Sequence, residues 1–109
     1  MKFLKIIYFI ILITVSSETF SQENEVELIE NLILKKTYFE ADSLLKQIIL
    51  NQESVSSEIT FLFGKNSYFL KKYEQSINWL NKYLELKGEK GKYSDESIKF
   101  LELSNAKNT

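Results

Sequence analysis

A chain of 109 residues with no cysteine and no histidine has neither a thiol nucleophile nor an imidazole, which removes most nucleophile–base pairs and most transition-metal sites. Its 14 basic residues are all lysine and face 15 acids, and a formal charge of −1 is too even for a nucleic-acid-binding face. Proline is absent, and the glycines, Gly64, Gly88 and Gly91, are too scattered for a phosphate-cradling loop.

The N-terminal segment reads as an export signal. Lys2 and Lys5 flank the start of an apolar run, Ile6 to Val15, which a polar stretch from Ser16 to Gln22 follows. A membrane-spanning helix needs about 20 apolar residues, roughly twice this run. Thr19 and Ser21 place the cut between Ser21 and Gln22, with Ser17 and Thr19 marking an alternative two residues earlier. Residues 1–21 are therefore expected to be a cleaved signal peptide. The product would be periplasmic or secreted, with no stable membrane span, and the style of the signal is bacterial. An uncleaved anchor is the competing reading. No cysteine follows the run, so a lipid anchor is not expected. Removing Lys2, Lys5 and Glu18 leaves 12 lysines against 14 acids.

Beyond the signal the apolar spacing is helical throughout. Val26, Ile29, Leu32 and Ile33 form one stripe of a helix from about Val26 to Lys36. Thr37 to Glu40 (T-Y-F-E) has the capping-box pattern and predicts a restart, with Thr37 accepting from the Glu40 N–H. A second helix to about Leu50 turns Ala41, Leu44, Leu45, Ile48 and Ile49 inward. The largely polar stretch Asn51 to Ser57 is a loop, and Ser56 or Ser57 can cap a third helix from about Glu58 to Leu70. A fourth, from about Lys72 to Leu86, buries Tyr73, Ser76, Ile77, Leu80, Tyr83 and Leu84. Gly88 and Gly91 bracket a turn. Ser94 caps a short last helix, about 94–105, with Ile98, Leu101 and Phe100 as its apolar side. The prediction is an all-α fold of two antiparallel helix hairpins and a C-terminal capping helix.

The halves repeat. Tyr38, Ala41, Leu45, Ile48 and Ile49 lie 35 residues before Tyr73, Ser76, Leu80, Tyr83 and Leu84, matching in type and spacing. The segment Ser57 to Gly88 resembles a tetratricopeptide repeat along its length: Phe63 and Gly64 take the leucine–glycine pair of the first helix. Tyr73, Ser76 and Leu80 take the tyrosine, small residue and phenylalanine of the second. Thr60, Ser67, Lys71, Tyr83 and Gly88 depart from the family pattern. In the earlier repeat Ile29 stands where the glycine should be, so those two helices are expected to sit further apart. The repeats span about 23–56 and 57–90.

The resemblance implies a partner-binding groove lined by the first helix of each hairpin. Phe61, Lys65 and Tyr68 would face it in the second repeat, and Val26, Glu30 and Ile33 in the first. A peptide or helix docking by apolar anchors fits that surface; a role for these aromatics as core is the alternative. Glu23, Glu27 and Glu30 read as a solvated acidic stripe. The pairs Lys35–Lys36 and Lys71–Lys72 read as cations at helix C-termini. Trp79 reads as packing against the terminal helix. The expected function is that of an exported protein–protein interaction module, not an enzyme, with no cofactor and no metal. A self-associating module, or a remnant of a longer repeat protein, is the alternative, and a homo-oligomer is possible under it.

Overall fold

The computed structural model describes residues 21–108, and the signal segment apart from Ser21 lies outside them. Five α-helices follow one another: α1 (Ser21–Leu34), α2 (Tyr38–Asn51), α3 (Ser57–Phe69), α4 (Tyr73–Lys87) and α5 (Ser94–Lys107). A 3-10 turn, Gly88–Lys90, precedes α5. There is no strand among the described residues, so the fold is all-α. Helix α1 runs five residues further upstream than its apolar stripe. Its first turns are Ser, Gln, Glu and Asn, which sustain a helix without an inward-facing pattern.

The turns inside the two hairpins are built alike. Lys36 (φ 62°) and Lys71 (φ 63°) adopt the left-handed conformation that glycine favours. At the first turn the Lys36 N–H donates to the Ile33 carbonyl and the Thr37 N–H to that of Leu32. At the second, the Lys71 and Lys72 N–H groups donate to the Tyr68 and Ser67 carbonyls. Both are Schellman caps, which satisfy the orphan carbonyls of a helix end. Lys36 and Lys71 hold the same place in the two turns, whereas Lys35 corresponds to Leu70 and Lys72 to Thr37.

Two capping expectations fail. Thr37 does not cap α2; its hydroxyl donates backwards to the Leu32 carbonyl at 2.8 Å, helping to close α1 instead. Ser94 is the first residue of α5, not its cap, and its hydroxyl donates to the Gly88 carbonyl at 2.6 Å. Ser56 does cap α3, accepting from the Ile59 N–H at 3.2 Å.

Helices α3 and α4 are antiparallel, with Phe61 against Tyr83 and Phe63 against Trp79. Their backbones close in at Gly64, where an added Cβ would lie 2.7 Å from Leu80 Cγ. The Ser76 hydroxyl donates to the Gly64 carbonyl at 2.8 Å. Helix α5 continues this packing: Ser104 Oγ donates to Ser76 Oγ at 3.1 Å. The inner face of α5 is Ser94, Ser97, Phe100 and Ser104, whereas Ile98, read as inward, is 39% exposed. Small hydroxyls let α5 sit close on α4, which a stripe of large residues would prevent. Trp79 stacks on Phe63 of α3, at 4.7 Å between centroids.

The first hairpin is joined to the second by a polar latch. Asp42 of α2 is buried and takes ion pairs from Lys46 at 2.9 Å and Lys72 at 3.4 Å. Gln75 reaches it at 3.5 Å. Burial alone would push the Asp42 carboxyl up, but Lys46 and Lys72 together hold it below the usual carboxylate range. The Asn66 amide adds a bond from α3 to the Tyr38 carbonyl, at 2.9 Å.

Candidate functional site

Helices α1, α3 and α5 form one face of the molecule, and a cavity of about 230 Å³ lies on it. Helix α1 contributes Glu30, Ile33 and Leu34; α3 contributes Phe61, Leu62 and Lys65. Tyr93 and Glu96, at the start of α5, close the far side. Position along the helices explains the set: Glu30, Ile33 and Leu34 fall on adjoining faces one turn apart, as do Phe61, Leu62 and Lys65.

The floor is apolar and firmly held. Phe61 is 1% exposed and stacks face to face on Tyr93, with centroids 4.4 Å apart. The Tyr93 N–H donates to the buried Tyr83 hydroxyl at 2.8 Å, fixing the segment that carries the ring. Leu34, by contrast, is 78% exposed and makes an apolar lip.

The charged groups are unevenly engaged. Lys65 lies 3.4 Å from Glu96, with its ammonium about 5.9 Å from the Phe61 ring centre and 5.8 Å from that of Phe100. Glu30 has one polar neighbour, the Tyr93 hydroxyl at 3.5 Å, and no ion pair among the described residues. Burial raises the Tyr93 phenol, opposed by Lys92 and aided by Glu30. Lys92, exposed, with its ammonium over that ring at 5.2 Å from its centre, is raised chiefly by the Tyr93 oxygen, then by Glu58 and Glu30.

Of the residues expected to face a groove, Glu30, Ile33, Phe61 and Lys65 meet at this cavity. Phe61 does so as floor, almost wholly inside the core. Tyr68 does not line it: its ring packs against Phe69, Tyr73 and Phe100. Val26 is half-buried against the core. Sequence reasoning missed Leu34, Leu62, Tyr93 and Glu96. Tyr93 sat between a glycine turn and a supposed serine cap, where nothing in the local pattern marks an inward ring.

A wider depression of about 570 Å³ is lined by Lys71 to Gln75, Asn78, Trp79 and Asn108. No three of His, Cys, Asp and Glu converge to hold a metal ion among the described residues. No helix among them is long and apolar enough to cross a membrane. Comparison of the chain with protein-family models, curated proteins and solved structures gave no match.

Proposed function

We propose that this chain is an exported protein–protein interaction module of the tetratricopeptide type, without catalytic activity, which holds a peptide or helix against the α1–α3–α5 face. The observation that carries the reading is the cavity itself: an apolar floor of Ile33, Phe61 and Leu62 with charges confined to its edge. Such a surface suits an apolar anchor from a partner, with polar groups setting register. Two features support the family resemblance. Glycine occurs where the helices of the second hairpin approach most closely, and the turn geometry repeats at Lys36 and Lys71. The absence of histidine and cysteine from the sequence leaves few routes to nucleophilic chemistry.

Selection of binding peptides from a displayed random library tests this reading. Leu34→Asp, on the cavity lip, should abolish capture of the selected peptides, while Lys82→Glu, away from it, should not. Peptides indifferent to Leu34→Asp would refute it. Export has its own check: the mature protein recovered from an exporting host should begin at Gln22, and retention of residues 1–21 in the membrane fraction would refute cleavage.

A further inference from the structure

The cavity is small. At about 230 Å³ it falls below the range of roughly 300 to 1,000 Å³ that drug-sized ligands occupy, and it suits one or two side chains. Its floor accepts only apolar groups. Its charges then decide what may flank such a group.

Lys65 is already paired with Glu96 at 3.4 Å, so an incoming anion would have to compete with that carboxylate. Glu30, at the mouth, accepts a long bond from the Tyr93 hydroxyl at 3.5 Å and has no ion pair among the described residues. Of the charged groups that line the cavity, Glu30 and Glu96 are carboxylates and Lys65 is the one cation, which leaves a negative excess. Glu27, one turn before Glu30 on α1, is exposed and adds to it. A cation arriving beside an apolar anchor therefore finds a partly desolvated carboxylate, whereas an anion meets repulsion.

Resting on the reading of this face as a peptide groove, we propose that the cavity takes an aliphatic side chain of a partner peptide whose neighbouring residue is lysine or arginine, with that cation seated at Glu30 and the Tyr93 hydroxyl. Glu30 sets specificity, and Leu34 closes over the aliphatic group.

The test uses three blocked tetrapeptides, acetyl-Gly-Leu-Lys-Gly-amide and the versions with Glu for Lys and Ser for Leu, titrated into the purified ¹⁵N-labelled protein. The Leu-Lys peptide should move the amides of Leu34, Lys65 and Tyr93 saturably, about tenfold more tightly than the Leu-Glu peptide, a difference of about 1.4 kcal/mol. The Ser-Lys peptide should bind no better than Leu-Glu. In Glu30→Gln the preference for Lys over Glu should vanish while the Leu-Lys peptide still shifts the same amides. Equal binding of the Lys and Glu peptides at these amides would overturn the charge proposal and leave the groove reading standing. No saturable shift from any peptide would overturn the proposal, and the display selection would then judge the groove by itself. Shifts that track protein concentration instead of peptide would point to a second copy as occupant and overturn it too.

Discussion

The two hairpins share a turn and differ at the point of closest approach. In the second, Gly64 lets Leu80 and Ser76 reach the α3 backbone. In the first, Ile29 stands 35 residues earlier, fully buried, against a helix that offers Ala41 and Leu45 at the places of Ser76 and Leu80. Fewer backbone positions come close between α1 and α2 than between α3 and α4. One repeat position thus controls helix spacing: glycine gives backbone contact and a side-chain-to-carbonyl hydrogen bond, whereas isoleucine gives apolar burial across a wider gap.

Exchanging the residues at that position is the strongest way to break the comparison. Ile29→Gly removes a fully buried side chain that the wider gap cannot replace, and should cost about 3 to 6 kcal/mol, from the lost side chain together with the helix penalty of glycine. Urea unfolding should show a protein near the edge of folding; a small loss would mean that the first hairpin can close like the second. Gly64→Ala drives a methyl group into Leu80 and should cost about 1 to 3 kcal/mol despite the better helix propensity of alanine, a fall of roughly 4 to 8 °C in melting temperature for each kcal/mol. A neutral or stabilising Gly64→Ala would end the argument from spacing.

The latch between the hairpins comes next. Asp42→Asn should cost about 1 to 2 kcal/mol at neutral pH, since it weakens charge-assisted bonds to Lys46 and Lys72 that are partly open to solvent. The folded-state pKa of Asp42 lies below its unfolded value, so its contribution is complete above about pH 4 and is lost as pH falls through the folded pKa. Wild type and Asp42→Asn should therefore converge in stability toward acid, which denaturant titrations at several pH values will show. The smallest effects sharpen the likeness of the turns. Lys36→Gly and Lys71→Gly should each stabilise by about 0.5 to 1 kcal/mol, because glycine relieves the left-handed strain of either lysine. Unequal gains would mean that the turns are alike only in dihedral angle.

Much of this was legible from residue spacing, and the failures have physical causes. The helices follow from periodicity and a serine cap at Ser56 or Ser57 from cap chemistry, while the close approach at Gly64 was implied by the tetratricopeptide resemblance. The inner face of α5 was misread because hydropathy favours Ile98, whereas close helix packing favours Ser97 and Ser104, whose small side chains are fully buried, with the Ser104 hydroxyl bonded across to Ser76 of α4. Thr37 was misread because the same hydroxyl can serve the helix before it as well as the one after, and the Schellman turn brings the Leu32 carbonyl within reach. The latch at Asp42 gave no signal, since beyond its neighbour Lys46 its partners Lys72 and Gln75 lie 30 and 33 residues on. Half of the cavity was visible in the repeat register; Tyr93 and Glu96 needed the path of the chain after Gly91.

The serine contacts that join α5 to α4 and α4 to α3 give the cavity one firm wall and one yielding wall. The firm wall belongs to a unit whose amides should exchange with solvent only in rare, concerted openings. The α1 wall hangs on fewer close contacts and should open locally at much lower free energy. A ligand lodged between them would tie the yielding wall to the firm one, so its presence should register first as slowed hydrogen exchange along α1, even where no side chain of α1 touches it.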